Sequence, residues 1–402
     1  MIIQANTVLT GDGSSVIRNG SVRIDDASGL ITAVGPAADV VPTPGEIVVN
    51  YHDATILPGL IDMHVHLGYW WGKPDLENYD DFMIAYMSLD RLQQARASGV
   101  TTLRDLASPD HLCEKMRMAE KRGYISIPRI FHCNQAICAS GGHGWDLTGG
   151  TVECDSPEEI CKAVRTQLRE GADWIKVMDS HRTELSEFTQ EELHAAVSES
   201  HRHGVKISVH AGPEIAVEMA LRAGFDTIEH GTFMTLAQGE YMAQHGIAWV
   251  PTIVAYASIY EMALEMQRNN TPEEIMAQAG LTGAGFTYFQ NAAEAYRKNF
   301  KALYDTGVTV CAGTDMVMDG APASPVWKEL WYMTQYGLTP VEAVRTATVN
   351  SARVLGMAGI LGELSKNAIA DICVAAGDIT TDITRLKDVI AVYQIGRLVF
   401  TK

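Results

Sequence analysis

The sequence predicts an α/β fold in which a (β/α)8 TIM barrel is joined to a small β-sandwich domain built from both chain ends. Two patterns predict this arrangement. The middle of the chain repeats a strand, a loop and a helix through eight apolar runs of strand length, whereas both ends alternate short apolar runs with Gly, Asp and Pro turns. Parallel strands that alternate with helices close into a barrel when there are eight of them. We therefore expect residues 58–361 to form the barrel and residues 1–57 together with 362–402 to form the β domain.

The eight apolar runs are the expected barrel strands. They cover residues 56–67, 101–103, 129–137, 174–178, 206–210, 226–230, 247–250 and 308–312. Helical patterns separate most of these runs, at residues 82–97, 189–203, 213–223 and 274–305. Because barrels of this kind carry their chemistry at the carboxyl ends of their strands, the polar residues that close each run are candidates for a functional site.

Composition and charge narrow the class of protein. The 402 residues are 47% hydrophobic and 20% charged, which is enough apolar material for a large core. The 31 Lys and Arg against 49 Asp and Glu give a net charge of −18, which repels nucleic acid and anionic membrane surfaces. Seven scattered cysteines without a CxxC pair argue against a disulfide framework, and the first residues show no basic stretch followed by an apolar run. We expect a soluble cytoplasmic protein that binds neither nucleic acid nor membranes.

Six residues of metal-ligand type fall at the ends of five predicted strands. They are His64, His66, Lys176, His210, His230 and Asp315. The first two are separated by one residue, so on a strand both imidazoles point to one side, which suits zinc. Each residue alone has another explanation, because single histidines are usually satisfied core residues, a strand-end lysine often reaches solvent and an aspartate after Gly-Thr commonly forms a turn or caps a helix. Their coincidence at successive strand ends, in the order that a barrel requires, favours a metal site.

The sequence resembles the amidohydrolase superfamily over nearly its whole length, on the motif LPGLID-x-HVH at residues 57–66, the strand-end lysine, the later histidines and the Gly-Thr-Asp at 313–315. The resemblance implies that Lys176 is carboxylated by carbon dioxide and bridges two divalent ions, expected to be zinc. It gives each ion further ligands of its own: His64, His66 and Asp315 for one, His210 and His230 for the other. It also implies attack on a carbonyl by a hydroxide that bridges the ions, with Asp315 passing the proton to the leaving amine.

Within that superfamily the sequence is similar to the imidazolonepropionase-like branch, which includes metal-dependent Xaa-Pro dipeptidases and ochratoxin-cleaving amidohydrolases. The similarity lies in the Ala-Ser-Gly-Gly-His-Gly loop at residues 139–144 and in the segment 250–256. It implies two further catalytic residues, His143 in contact with the substrate carbonyl or carboxylate and Tyr256 as a donor to the developing oxyanion. Four more residues are candidates for substrate binding, although each is also explained as an ordinary rim or surface residue: Trp70, Trp71, His181 and Arg182.

These residues predict a binuclear metal-dependent hydrolase that cleaves the C–N bond of a dipeptide or an N-acyl amino acid. The alternatives are a hydrolase of cyclic amides, imidazolones or xenobiotic amides, a mononuclear deaminase, and a barrel without catalysis. Lys176 argues against the deaminase, which lacks a bridging lysine, and the complete ligand set argues against the non-catalytic barrel. Residues 319–325 contain no basic side chain, so binding of a substrate carboxylate falls to His143, His181 and Arg182. We expect a small-molecule substrate and a homo-oligomer.

Overall fold

The computed structural model describes residues 1–70, 80–147, 149–180, 185–315 and 323–402. Its strands, in chain order, are β1 (Ile2–Leu9), β2 (Val16–Asp25), β3 (Leu30–Pro36), β4 (Val48–Asn50), β5 (Ala54–Pro58), β6 (Leu60–Val65), β7 (Val100–Asp105), β8 (Arg129–His132), β9 (Ala136–Cys138), β10 (Thr151–Glu153), β11 (Trp174–Met178), β12 (Lys206–Ala211), β13 (Thr227–His230), β14 (Ala248–Val250), β15 (Thr309–Val310), β16 (Ile372–Ala376), β17 (Val389–Gln394) and β18 (Arg397–Thr401). Its helices are α1 (Asp81–Ala97), α2 (Leu112–Lys121), α3 (Pro157–Arg169), α4 (Gln190–Arg202), α5 (Glu214–Ala223), α6 (Leu236–His245), α7 (Ile253–Arg268), α8 (Glu273–Gln278), α9 (Gly283–Asp305), α10 (Val326–Gln335), α11 (Pro340–Thr346) and α12 (Val349–Val354), with a 3-10 helix at Ile383–Lys387. The predicted α/β class is confirmed.

Both chain ends build one sheet of eight strands. Its order is β18-β17-β16-β5-β1-β2-β3, with β4 beside the first half of β1. The two ends meet where β16 pairs antiparallel with β5, with Val374 opposite Ile56, while β5 pairs parallel with β1. Ile3, Val22 and Tyr393 belong to one buried apolar cluster, so burial of apolar surface holds the two ends together. A β domain made from both chain ends is confirmed, and its exact boundaries stay a prediction.

The barrel strands lie in two parallel sheets, β6-β7-β8 and β10-β9-β11-β12-β13-β14-β15. Backbone hydrogen bonds join the two sheets at both seams. The Asp173 amide donates to the His132 carbonyl at 2.9 Å, and the Met63 amide donates to the Ala312 carbonyl at 2.9 Å. The cylinder is thus closed between β8 and β11 and between β15 and β6, which confirms the predicted TIM barrel.

The first predicted strand, residues 56–67, serves both domains. The chain leaves the composite sheet at the end of β5, passes through Gly59 and enters the barrel as β6. The Gly59 amide donates to the Asp371 carbonyl of the β domain at 2.8 Å, and the next amide, of Leu60, donates to the Gly99 carbonyl beside β7 at 2.9 Å. The prediction of one continuous barrel strand is therefore wrong at its start, because the first part of the apolar run is buried in the other sheet.

The third predicted strand, residues 129–137, is wrong as a single strand. It is divided into β8 and β9 by Asn134, whose φ of 58° is left-handed. Asparagine adopts this conformation more readily than most residues. Its side-chain amide donates to the carbonyls of Gln167 and Glu170 at 3.4 and 3.3 Å, which holds the turn. Beyond it, β9 continues the barrel beside β11.

The predicted helix at residues 274–305 is also wrong as one element. It consists of α8 and α9, and Gly280 between them has a left-handed φ of 66° that ends the first helix. The second helix, α9, runs for 23 residues and packs against α7 beside the barrel mouth. Within the ranges that the structure describes, no helix is both long and apolar enough to cross a membrane.

Three barrel helices start at capping boxes. α4, α6 and α11 each follow a threonine whose hydroxyl accepts the amide three residues later, while the Glu or Gln at that later position accepts the threonine amide. The pattern satisfies amide groups that a helix start otherwise leaves without partners. Local sequence thus determines where these helices begin.

Candidate metal centre

Three of the predicted ligands come together where β6 and β15 end. His64 lies in β6, His66 directly follows it, and Asp315 follows β15. His64 Nε2 is 3.3 Å from His66 Nε2, and Asp315 Oδ1 lies 3.6 Å from His64 Nε2 and 3.4 Å from His66 Nε2. One ligand atom from each residue lies within 4.8 Å of the others. Two imidazole nitrogens and a carboxylate oxygen at these separations form a donor set that zinc accepts.

The other two predicted histidines extend the site to the neighbouring strands. His210 lies in β12 and His230 ends β13. The centroids of their rings are 4.2 Å apart, and the His230 ring lies 4.9 Å from that of His64. His230 Nδ1 is 3.9 Å from Asp315 Oδ2. Asp315 therefore faces His64 and His66 with one carboxylate oxygen and His230 with the other.

Lys176 of β11 is buried at the same site. Only 1% of the residue is exposed, and its Nζ has no hydrogen-bond partner in the part of the chain that the structure describes. Burial lowers the pKa of Lys176 to about 8, although the carboxylates of Glu229 and Asp315 oppose this. Its charge acts on both His64 and His230. A buried amine that has no partner and loses its proton readily fits a lysine that reacts with carbon dioxide and then binds metal.

The protonation of the other candidates also fits divalent metal ions. Burial lowers the pKa of His64 and of His230 well below the usual value, so both rings are neutral at pH 7 and offer a lone pair. Burial alone would raise the pKa of Asp315, but the neighbouring His64 and His66 outweigh it and lower the pKa. Neutral imidazoles beside an ionised carboxylate are the forms that bind a divalent cation.

Glu229 and Arg104, which the sequence did not single out, hold His64 in place. Glu229 Oε2 is 2.8 Å from His64 Nδ1, while Glu229 Oε1 accepts a hydrogen bond from Arg104 Nη2 at 2.7 Å. Arg104 Nε also donates to the Met63 carbonyl at 2.7 Å, and all of these side chains are buried. A carboxylate on Nδ1 fixes the tautomer of the ring, so that Nε2 is the nitrogen left to face an ion.

We expect Glu229→Gln to weaken metal binding by about 10- to 100-fold, because glutamine keeps the shape but loses the charge that orients and polarises His64. Titration of metal-free protein with Zn²⁺ against a competing chelator measures this, and thermal unfolding checks that the barrel persists. Glu199→Gln is a matched control, since Glu199 also pairs with an arginine, Arg165, but far from the ligands. Equal zinc affinity of Glu229→Gln and wild type would contradict the positioning role.

Three residues at this rim of the barrel have a strained backbone conformation. His230, Thr252 and Asp315 have left-handed φ values of 70°, 51° and 48°. Such conformations cost on the order of 1–3 kcal/mol each and persist only where the surrounding structure holds them. Thr252 Oγ1 lies 2.7 Å from His230 Nδ1 and so leaves His230 Nε2 for the site. The strain at His230 explains how Glu229 and His230 both point into the barrel, although successive strand residues normally face opposite sides.

Tyr256 lies in the first turn of α7, directly above the site. Glu329 of α10 accepts the amides of Ile253 and Val254 at 3.0 and 2.7 Å, which satisfies the start of this helix. The Tyr256 ring is buried and its centroid lies 5.5 Å from that of His230. Burial raises the pKa of Tyr256 well above the usual value, so the phenol keeps its proton and can donate it in a hydrogen bond.

Glu329 leads to a prediction about stability and pH. Burial raises the pKa of Glu329 from 4.5 to about 8. At pH values between these two, Glu329 is therefore protonated in the folded chain and ionised in the unfolded chain. Raising the pH from about 5 to about 8 therefore favours unfolding. We expect Glu329→Gln, which cannot ionise, to lose less stability than wild type over this range, by on the order of a few kcal/mol. Urea unfolding at both pH values measures the difference, with Glu274→Gln on the exposed face of α8 as control. An identical pH dependence in wild type and Glu329→Gln would show that this prediction is wrong.

A cavity of about 570 Å³ opens onto these residues, a size typical of small-molecule sites. Part of its wall is apolar and comes from Ala255, Ile259 and Phe289 on α7 and α9. Another part comes from the loop 141–147 and from Glu187, and its polar side chains are those of His143, Asp146 and Glu187. Its lining also includes six of the residues predicted for the site: His66, His143, His210, His230, Tyr256 and Asp315.

The remaining substrate candidates have different outcomes. The His143 ring lies 4.1 Å from the His210 ring, measured between centroids, which places His143 at the site. Trp70 is buried, and the guanidinium of Arg91 lies 4.2 Å from the centre of its ring. Among the described residues that line the cavity, its neighbour Tyr69 is present and Trp70 is not. Three candidates lie outside the residues that the structure describes: Trp71, His181 and Arg182.

Comparison with known proteins agrees with this geometry. The family model described as "Amidohydrolase family" matches residues 55–399. The chain belongs to the amidohydrolase family. This amidohydrolase is 28% identical to the ochratoxinase of Aspergillus niger over 410 aligned positions, which cover 92% of the chain and 80% of that relative. It is 24% identical to the imidazolonepropionase of Sphingopyxis alaskensis, with coverage of 91% and 88%.

Solved structures similar to this amidohydrolase include a Xaa-Pro dipeptidase with bound methionine in the active site. The TM-score is 0.85 at 28% identity, and the match covers 100% of this chain and 99% of that one. The A. niger ochratoxinase structure matches with a TM-score of 0.82 at 25% identity, over 100% and 95% of the two chains. These relatives confirm the predicted branch. The amidohydrolase is a hydrolase that acts on C–N amide bonds.

Proposed function

We propose that this amidohydrolase is a binuclear metal enzyme that hydrolyses the amide bond of a dipeptide or an N-acyl amino acid. The observation that carries the proposal is Lys176, a buried amine with no hydrogen-bond partner among the described residues and a lowered pKa. As a carbamate it would carry one negative charge shared by two oxygens and could serve as a ligand to both ions. A mononuclear deaminase needs no lysine at this position. The similarity to a Xaa-Pro dipeptidase and an ochratoxinase supports an amide substrate.

The ligands would be divided between two ions that share Lys176. When bound, the two divalent ions lower the pKa of water towards about 7 and polarise the amide carbonyl. The protein orients the rings, since Glu229 fixes His64 and Thr252 fixes His230. The first ion would have His64, His66 and Asp315 as ligands, and the second His210 and His230.

Asp315 would carry the proton of the reaction. Its Oδ1 lies 3.4 Å from His66 Nε2 and its Oδ2 lies 3.9 Å from His230 Nδ1, so the carboxylate stands between the two sets of ligands. The lowered pKa keeps Asp315 ionised and able to accept a proton from the attacking water. Transfer of that proton to the amide nitrogen lets the C–N bond break with a neutral amine as leaving group.

Tyr256 and His143 would bind the reacting part of the substrate. Both line the cavity, and the protonated phenol of Tyr256 can donate to the carbonyl oxygen as negative charge develops there. The His143 ring lies beside His210, where it can contact the substrate carbonyl or carboxylate. The two side chains thus approach the substrate from α7 and from the loop after β9.

A second candidate function is hydrolysis of a cyclic or xenobiotic amide with an aromatic group. The apolar wall formed by Ala255, Ile259 and Phe289 favours it, because such a wall gives an aromatic ring a large contact area. The same wall also accommodates the apolar side chain of a dipeptide, and a panel of substrates separates the two classes.

Metal analysis together with a substrate panel tests the proposed function. Protein stripped with a chelator and reloaded with Zn²⁺ should regain activity and hold two ions per chain. The panel should contain Xaa-Pro and other dipeptides, N-acyl amino acids, an aryl amide, a lactam and an imidazolone. Cleavage of dipeptides or N-acyl amino acids is the expected result. Full activity with one ion per chain would overturn the binuclear proposal, and cleavage of the lactam alone would overturn the substrate proposal.

We also propose that the enzyme acts in the cytoplasm on a small molecule and forms a homo-oligomer. The seven cysteines are free and six of them are buried, which is compatible with a reducing compartment. Cell fractionation and light scattering test the two parts of this proposal separately.

A further inference from the structure

We propose that Glu187 binds the α-ammonium group of the substrate and makes the enzyme selective for dipeptides over N-acyl amino acids. The inference rests on the proposed function, for which it names the substrate class. Glu187 lies on the loop after β11 and lines the cavity beside the candidate metal centre. The sequence alone gave no reason to select it, because it sits in no motif.

Hydrogen bonds from two loops place the Glu187 carboxylate. Its Oε2 accepts the His143 amide at 2.7 Å, and the His143 ring lies beside that of the predicted ligand His210. The Glu187 amide donates to Asp179 Oδ1 at 2.7 Å, and Ser186 Oγ donates to Asp179 Oδ2 at 3.0 Å. The carboxylate is therefore held in the cavity, and His143 lies between it and the predicted ligand His210.

The chemistry of a dipeptide brings its ammonium group to this part of the cavity. The α-carbon that carries the ammonium is bonded directly to the carbonyl carbon under attack. An enzyme that holds this carbonyl at the metal centre must therefore accommodate a positive charge a few ångströms away. An N-acyl amino acid with a simple acyl group has no charge there. A carboxylate at this position distinguishes the two classes, because hydrogen bonds between charged partners are about twice as strong as neutral ones.

The charges around Glu187 favour a cationic ligand. The described lining of the cavity contains no lysine or arginine, whereas Asp146 and Glu187 are acidic and are not among the candidate metal ligands. The structure gives the Glu187 carboxylate one hydrogen bond within the described residues, from His143, and a carboxylate can accept several. Burial raises the pKa of Glu187, as expected for an anion that has lost water without gaining a cation. An ammonium group would supply the missing partner.

A purely structural role of Glu187 is the competing explanation. The residue supports the glycine loop closely, since a Cβ on Gly142 would lie 2.5 Å from Glu187 Oε2. Support for the loop would affect every substrate to the same degree, whereas recognition of an ammonium affects only substrates that carry one. Glu153 provides a matched control, because its Oε1 accepts the Gly141 amide of the same loop at 2.9 Å, yet it is not part of the cavity wall.

The test compares leucyl-phenylalanine with isocaproyl-phenylalanine, which differs only in lacking the ammonium group. Zinc-loaded wild type should cleave the dipeptide with the higher kcat/KM. Glu187→Gln should lower kcat/KM for the dipeptide on the order of 10- to 100-fold and change it little for the isocaproyl compound. Glu153→Gln should leave the ratio of the two kcat/KM values as in wild type. The wild-type preference should also shrink as the pH rises past about 8, where the ammonium loses its proton.

Two kinetic results would overturn the inference. One is an equal loss for both substrates in Glu187→Gln, which would mean that the residue only supports the loop. The other is equal cleavage of both substrates by wild type. If zinc-loaded wild type cleaves neither compound, the pair is replaced by a dipeptide that the substrate panel shows to be cleaved and by its analogue without the ammonium group. If the panel shows cleavage of no dipeptide and no N-acyl amino acid, the proposed function is wrong, and calorimetric measurement of binding of the leucyl and isocaproyl compounds then tests the inference by itself. Tighter binding of the dipeptide that is lost in Glu187→Gln would support it, and equal Kd values would overturn it.

Discussion

Alanine in place of Lys176 is expected to lower kcat/KM by about a thousandfold or more, because the variant loses the group that both ions would share. The barrel should persist, since the Lys176 amine has no hydrogen-bond partner within the described structure and its removal leaves no other group unsatisfied. A short carboxylic acid such as propionate should restore part of the activity by occupying the space of the carbamate. Kinetics, metal content and thermal unfolding measure these effects together.

Lys206→Ala is the control for this experiment. Lys206 opens the neighbouring strand β12, lies opposite Trp174 and donates to the Val354 carbonyl at 2.6 Å, away from the candidate ligands. This variant should retain wild-type activity and two ions per chain. Full activity of untreated Lys176→Ala would show that no lysine bridge is needed, and the binuclear proposal would then be wrong.

Asparagine in place of Asp315 is expected to lower kcat by about 100- to 10,000-fold at saturating metal, because the amide cannot accept the proton of the attacking water. The substitution keeps the size and most of the shape of the side chain. It also removes the negative charge that faces His64, His66 and His230, so binding of the first ion should weaken. Measurement of kcat over a series of zinc concentrations separates the loss of the proton carrier from the loss of the ion.

The exposed Asp305, which pairs with Lys301 at 2.5 Å at the end of α9, supplies the matched control. Asp305→Asn should have wild-type kcat and zinc dependence. An Asp315→Asn variant that keeps more than about a tenth of the wild-type kcat at saturating zinc would rule out Asp315 as the proton carrier.

The predicted elements that failed did so where a single residue interrupts an apolar pattern. Residues 129–137 are apolar enough for one strand, but Asn134 turns the chain in the middle because the carbonyls of Gln167 and Glu170 accept its side-chain amide. Those carbonyls belong to the end of α3 and the loop after it, so the pattern of apolar residues within 129–137 could not predict these hydrogen bonds. The first part of residues 56–67 likewise has a partner that is distant in sequence, because it pairs with the C-terminal strand β16 and not with the barrel.

The candidate ligands could be predicted because the direction of a side chain on a strand depends only on its position along that strand. His64 and His66 point to one side since they are two positions apart on a strand, and the carboxyl ends of parallel strands meet at one rim. The alternation of strands and helices is equally local, and it was sufficient to predict the barrel. The family, now confirmed, was predicted from the resemblance of short motifs such as LPGLID-x-HVH at residues 57–66.

The residues that surround and orient the candidate ligands are brought together by contacts between distant parts of the sequence. Arg104 is 125 positions from Glu229, and Glu229 is 165 positions from His64, so no window of sequence contains the chain that orients this ring. Glu187 likewise meets the His143 amide across 44 positions. Periodicity and residue type are properties of short segments, and they identified the barrel and the candidate ligands. Orientation, protonation and selectivity depend on burial and on partners from other strands, which exist only once the barrel has closed.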